Sequence, residues 1–439
     1  MNKIILMAFV FLYGTGTVLQ AKDYNVKNAN ELHALSLKPG DKVTMLGELW
    51  KDQQLVFKGK GTKEEPITLT VEFLGKTILS GNSTLVIEGT WLIADGLSFA
   101  NGFIEKGDVI QFSLKSTWCR LTNSSVVNFN NPNDQADYRW VSMNGFNNRV
   151  DHCLLEGKSH QGVTLVVWLA DKPNHHKIDH NYFGPRPGLG RNGGETIRIG
   201  TSTWSFHDSY TVVENNIFER CDGELEAVSV KSCKNTIRNN LFYETKATLT
   251  LRHGNGSEVY GNYFIGNFRA GTGGVRVIGE NHKVYNNYFY GITGTGVSAA
   301  ISVMAGLPKP VLTSHWQVKN AVITNNIIVN CKEPFAVGAG YNPERYLPAL
   351  NTTFADNLIL SSEIAVKWYD TKVVVKFKNN VYANGANPNE LPQGFTSKYL
   401  NPVIDENQVY LKPGQVKQEP FWKTEPIGPL WAKDLKKRL

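Results

Sequence analysis

Asn216-Ile217-Phe218, Asn240-Leu241-Phe242, Asn262-Tyr263-Phe264 and Asn287-Tyr288-Phe289 are four copies of one phrase, an asparagine followed by two apolar residues, set 24, 22 and 25 residues apart. Asn181-Tyr182-Phe183 precedes them; Asn326-Ile327-Ile328, Asn357-Leu358-Ile359 and Asn380-Val381-Tyr382 follow; Cys153-Leu154-Leu155 and Ser124-Ser125-Val126 are worn earlier copies. The intervals along the whole series are 29, 28, 35, 24, 22, 25, 39, 31 and 23 residues, so the shortest unit is 22 and the longer gaps carry inserted loops. A period in this range marks a solenoid, whose units bury their apolar faces only against their neighbours. The units are rich in Val, Ile, Thr, Phe and Tyr, punctuated by Gly and Asn, and they lack the 3.6-residue apolar period of helical repeats. The expected fold is therefore all-β: a single-stranded parallel β-helix with successive strands about 4.8 Å apart. The recurrent asparagines are expected to form a ladder at one bend, their amides bonding between coils and their backbone left-handed.

The ends of the chain read differently. Lys3, the apolar run Ile4 to Leu12 and the small-residue site Leu19-Gln20-Ala21 make residues 1–21 an expected export signal, too short to span a bilayer. No later stretch is apolar for long enough to cross a membrane, so a periplasmic or secreted location is expected. Asn28-Ala29-Asn30-Glu31, followed by Leu32, Ala34 and Leu35, predicts a short N-terminal helix with a capping box, covering the open end of the first coil. Pro39-Gly40-Asp41 then turns the chain into strands. Size alone would divide 439 residues into two or three domains, but the repetition merges 22–385 into one β-helix. Residues 386–439, richer in Pro and Lys, are expected to pack as an extension on its exterior. Five cysteines, an odd number spread thinly, fit small apolar core residues better than a disulfide scaffold, although one bridge remains open. The net charge of +7 fits an acidic partner, and an export signal makes nucleic acid a poor one.

One stretch carries candidate chemistry: Asn192-Gly193-Gly194-Glu195, then Glu224-Leu225-Glu226, Lys231, and Leu251-Arg252-His253-Gly254. Glu224 and Glu226 stand 8 and 10 positions after Asn216, Arg252 stands 12 after Asn240, and Arg276 stands 14 after Asn262. All are even offsets. Leu225, Ala227, Leu249, Leu251, Val275 and Val277 fill odd ones, so the charges are expected to share an outward face and the apolar residues to point inward. Lys231 has an odd offset and no assigned direction. Two carboxylates with an Asn carbonyl from the preceding coil make a hard oxygen site suited to Ca2+. A divalent ion there neutralises a sugar carboxylate and acidifies the adjacent C–H bond, the hard step of β-elimination, with Lys231 available as base. The plain alternative is an exposed ladder of charge pairs worth little.

The series Asn-Gly-Gly-Glu-Thr-Ile-Arg-Ile-Gly (192–200), Gly-Glu-Leu-Glu (223–226) with Lys231-Ser232, Leu-Arg-His-Gly (251–254) and Gly-Gly-Val-Arg-Val-Ile-Gly (273–279) closely resembles polysaccharide lyase family 6, which contains alginate lyases and chondroitinase B. The resemblance implies a right-handed parallel β-helix. It matches Asn192, Glu224 and Glu226 to Ca2+ ligands, Lys231 to the general base and Arg252 to the residue assigned as general acid. It matches Arg198, His253 and Arg276 to substrate-holding positions, and Tyr341 to a substrate tyrosine. A guanidinium scarcely releases a proton near neutral pH, so Arg252 is better read as stabilising charge on the leaving oxygen, with the proton supplied through water. The repeat ends soon after residue 380, leaving no room for the second β-helix domain of some members, and a monomer is expected. The Asn-Gly-Gly-Glu-Thr-Ile-Arg-Ile and Arg276 motifs look more like those of the alginate lyases, so the expected substrate is alginate cut at mannuronate. A chondroitin or dermatan sulfate lyase and a noncatalytic polysaccharide-binding β-helix are the alternatives. A hydrolase of the polygalacturonase type would instead need Glu224 and Glu226 as its acid and base.

Overall fold

The computed structural model describes residues 21–370, 372, 374–401, 403–405, 408–410 and 420–438. Residues 1–20 of the expected export signal lie outside the described residues. Each coil lays one short strand on each of three parallel sheets, of 14, 12 and 14 strands. Val212–Glu214, Ile217–Glu219 and Glu226–Lys231 form one coil, and Thr236–Arg238, Leu241–Tyr243 and Thr248–His253 form the next, paired strand on strand in parallel. The chain is an all-β solenoid.

The phrase that reveals the period also builds the core. Its last residue points inward, and Phe183, Phe218, Phe242, Phe264 and Phe289 stack with ring centroids 4.9, 4.6, 4.6 and 4.7 Å apart. These separations match the strand spacing of a sheet, so each coil repeats its aromatic contact on the next. The asparagines from Asn181 to Asn380 form a ladder that is at most 1% exposed. Each Nδ2 donates to the Oδ1 of the next rung, as Asn240 does to Asn262 at 2.9 Å and Asn262 to Asn287 at 3.0 Å. The left-handed residue is not the ladder asparagine but the one before it: His180, Asn215, Asn239, Gly261, Asn286, Asn325, Asp356 and Asn379 have φ between 52° and 64°. That residue turns the corner and leaves the following asparagine free to point its amide into the coil.

The helix Ala29–His33 is capped at Asn28 as expected, its Oδ1 accepting from the Glu31 amide at 2.9 Å; Glu31 reaches one residue beyond the capping-box position and accepts from the Lys27 amide at 2.8 Å. Its Leu32 belongs to the main core cluster. At the far end, Phe395–Lys398 adds a strand beside Asn380–Ala383. Trp422, Ile427 and Leu435 lie against Leu154, Tyr182, Ile217 and Leu241 on the outside of the third sheet. All five cysteines are buried and unbridged. No helix among the described residues is long and apolar enough to cross a membrane.

Candidate active site

The 12-stranded sheet carries the candidate residues on its outer face. Arg198, Ser229, Thr250 and Arg276 are register partners on four adjacent strands. Two irregularities in the pairing of Glu226–Lys231 with Thr248–His253 shape the site. Glu226 pairs with Thr248 and Val228 with Leu249, so Ala227 is an extra residue; then Val230 pairs with Leu251 and Lys231 with His253, so Arg252 is one too. A bulge re-aims side chains. Even offsets hold as far as Glu226, but Ala227 shifts the parity, Val228 and Val230 turn inward, and Ser229 and Lys231 turn out. This gives Lys231 the direction its offset left open. It also corrects one expectation: Leu225, at an odd offset, is 39% exposed because it precedes the strand, in the turn where the alternation has not begun.

The Asn-Gly-Gly-Glu turn lies against the Gly223-Glu224 turn of the next coil. A Cβ on Gly194 would run into the Gly223 carbonyl, and one on Gly223 into that of Gly194, so the contact requires glycine on both sides. The approach brings Glu195, 1% exposed, to Lys231, with Nζ 3.3 Å from Oε1. Glu195 is a site residue that the sequence reading quoted but gave no role; its signal was the Gly-Gly pair that fixes its place. Burial first, then the charges of Glu195 and Glu226, push the Glu224 carboxyl up to about 8. Glu226 Oε1 accepts from Arg276 Nη2, its Oε2 accepts from Ser229 Oγ, and Arg252 Nε stands 3.7 Å from Oε1. Burial lowers the pKa of Arg198, Arg252 and Arg276 from the ordinary arginine value without making any of them a ready acid.

Arg252 is held by backbone carbonyls, donating through Nη1 to Ser314 at 3.2 Å and through Nη2 to Thr313 at 3.4 Å. These belong to a loop that leaves the strand Ile301–Met304 and arches back to the segment after Ile197–Ile199. There Ser205 Oγ donates to the Leu312 carbonyl at 3.4 Å, and Phe206 meets Trp316 edge-on at 4.9 Å. His253 is 1% exposed with Nε2 3.1 Å from Ser202 Oγ. Burial, then Arg252 and Lys231, bring its pKa down to about 3, so it is neutral near pH 7. His315 and Arg345 add to the same cluster: burial, then Arg252 and Arg345, lower His315 to about 3. Both sit in inserted loops outside the repeat, where periodicity carries no signal. Asn192 is exposed in its turn, and Tyr341 is 47% exposed in the loop after Phe335–Ala339, its backbone amide donating to the Gly338 carbonyl at 3.1 Å. The described contacts bring Glu195, Glu224, Glu226, Lys231, Arg252, His253 and Arg276 together and leave Asn192 and Tyr341 at the margin.

Among the described residues no three His, Cys, Asp or Glu side chains are arranged to hold a metal ion. The set expected here has two such side chains and an amide. Its chemistry fits a hard dication: Glu224 lies among like charges, and the buried Glu195 Oε2 has no hydrogen-bond partner.

The chondroitinase B family model matches residues 26–421. The chain belongs to polysaccharide lyase family 6. It is 38% identical to the family 6 alginate lyase AlyGC, with a TM-score of 0.87 over 94% of this chain and 59% of that one. It therefore spans about three fifths of that relative. It is 30% identical, with a TM-score of 0.81, to a mannuronic acid specific family 6 lyase from human gut microbiota, covering 94% of this chain and 98% of the other. A family 6 lyase from Pseudopedobacter saltans is 26% identical with a TM-score of 0.74, over 93% and 99% of the two chains. A search of curated proteins gave no match.

Proposed function

We propose that this member of family 6 is an alginate lyase that cuts mannuronate-rich chains by β-elimination outside the cytoplasm. The observation that carries the reading is the extra residue Ala227, which turns Lys231 onto the face that holds Glu224, Glu226, Arg252 and the guanidiniums of Arg198 and Arg276. An exposed ladder of charge pairs has no need of this: Arg276 is 4% exposed and Glu226 7%, and burying charge is costly unless something is gained. Identity to a mannuronic acid specific relative supports the substrate.

In this reading Arg198 and Arg276 orient the uronate carboxylate by charge-assisted hydrogen bonds. Asn192, Glu224 and Glu226 would hold Ca2+, which when bound withdraws electron density from that carboxylate. Lys231 takes the proton from C5. The C–H electron pair forms the C4=C5 double bond, the C4–O glycosidic bond breaks, and the leaving oxygen is protonated through water. Arg252, fixed by the Ser314 and Thr313 carbonyls, faces the charge developing on that oxygen. His253 packs behind and orients through Ser202; Tyr341 closes the outer side of the site.

The test is the absorbance of the conjugated alkene product on polymannuronate, polyguluronate and dermatan sulfate, each with and without chelator. A rise on polymannuronate that chelation suppresses is expected. A rise confined to dermatan sulfate would replace the substrate, and no rise on any polymer would remove the lyase reading.

A further inference from the structure

The row of the sheet that holds Lys231 continues far beyond the reacting centre. Phe57, Ile87, Phe112, Met143, Val167, Ile199 and Val230 are successive register partners on seven adjacent strands. The residue after each of them therefore shares one row: Lys58, Glu88, Ser113, Asn144, Trp168, Gly200 and Lys231. Six strand spacings of about 4.8 Å separate its ends, roughly 29 Å.

Two features lie along this row. Near its middle the guanidinium carbons of Arg139 and Arg198 each stand 5.5 Å from the centre of the Trp168 ring, with Trp168 Nε1 donating to Ser142 Oγ at 3.2 Å. Arg139 is shared with Asp108 and Asp137, at 3.9 and 3.5 Å. At the far end lies a groove of about 580 Å³, with Leu35 and Leu37 on one side and Lys58, Lys60 and Lys115 around Gly59 and Gly89. Among the described residues Glu88 is the one acidic side chain lining it, 3.2 Å from Lys58 and 3.7 Å from Lys115. The groove keeps a surplus of two positive charges. The Lys58 and Lys115 side chains are 70% and 77% exposed, and pairs so exposed add little to stability.

We propose that this groove is a distal subsite for the same carboxylated sugar chain that is cut at Lys231. The chain runs along the row, passes the half-buried Trp168 with Arg139 and Arg198 beside it, and places a distant carboxylate among the three lysines. The inference takes its ligand from the lyase reading and adds that long chains are held more tightly than short ones. Lysines here act as point charges on a mobile polyanion, without the planar geometry that arginine gives at the centre.

The test uses the full chain carrying Lys231→Ala, which binds without cutting, with and without Lys58→Ala, Lys60→Ala and Lys115→Ala together. Calorimetric titration with polymannuronate and with its tetrasaccharide reads both affinities. The polymer is expected to bind at least about tenfold more tightly per chain than the tetrasaccharide, the triple substitution to remove most of that excess, and the tetrasaccharide affinity to stay within twofold. Raising the salt should shrink the excess only when the lysines are present. No excess, or an excess that survives the triple substitution, overturns the subsite. Binding with this pattern but no alkene from the wild-type protein would strike the lyase reading and leave the subsite standing.

Discussion

At the scale of single residues, the candidate site depends on charges that are buried and paired. Arg276 is 4% exposed and donates to the buried Glu226, so Arg276→Ala leaves a carboxylate without its partner. Breaking such a pair costs about 3–5 kcal/mol; a clear drop in melting temperature is expected, together with loss of polymer affinity. Arg276→Lys should restore part of the stability but little of the affinity, since an ammonium lacks the flat two-pronged geometry. The sequence showed these residue types and their order because the motifs are long. It left the direction of Lys231 open because a strict two-residue alternation cannot register an extra residue such as Ala227, whose presence appears only when the strand is paired. Glu195, 3.3 Å from Lys231, went unassigned for a similar reason, since its position follows from a backbone contact between Gly194 and Gly223.

At the scale of elements, the asparagine ladder was legible because a buried amide that bonds above and below must recur once per coil. Asn262 receives from Asn240, donates to Asn287 and also donates to the Ile237 and Tyr260 carbonyls. Asn262→Ala strands several of these groups, each at about 1–3 kcal/mol. Coils of a solenoid contact only their neighbours, so hydrogen exchange should speed up first in the coils of residues 236–265 and 283–290. Uniform loosening of the whole chain would contradict this. The loops were not legible: the arch that pins Arg252 through Thr313 and Ser314 lies in the longest interval of the repeat, 39 residues. Trp316→Ala removes the edge-on contact with Phe206, and a fall in kcat with little change in melting temperature is expected.

At the scale of the molecule, the C-terminal residues are tied to the coils by polar contacts as well as apolar ones. Glu425 stands 2.6 Å from His180 Nε2, and the Leu430 amide donates to Asn123 Oδ1 at 2.7 Å. Burial lowers the His180 pKa, but hydrogen bonds to Asp179 and Glu425 outweigh it and raise the value above the usual 6.5. A raised folded-state pKa gives stability that is complete below the unfolded value and lost as pH rises through the folded one. The melting temperature should therefore fall as pH climbs above 6.5, and Glu425→Gln should flatten that slope; an unchanged slope would exclude this contact as its source. The repeat made the solenoid legible from Ser124 onward, while the coils that start at Asp23 carry no copy of it. The covering of its third sheet by Trp422, Ile427 and Leu435 was less so, because a segment without a period shows neither its path nor its partners.

The central claim is that the face shared by Glu224, Glu226, Lys231 and Arg252 performs β-elimination with Lys231 as the base. Its most direct test is the single-turnover rate of alkene formation on polymannuronate for the wild type and for Lys231→Ala, with polymer binding measured on both. Removal of a positioned base typically costs about 10²–10⁴-fold. The account predicts a loss in that range with polymer binding retained. A Lys231→Ala protein that still forms the alkene at close to the wild-type rate would contradict it.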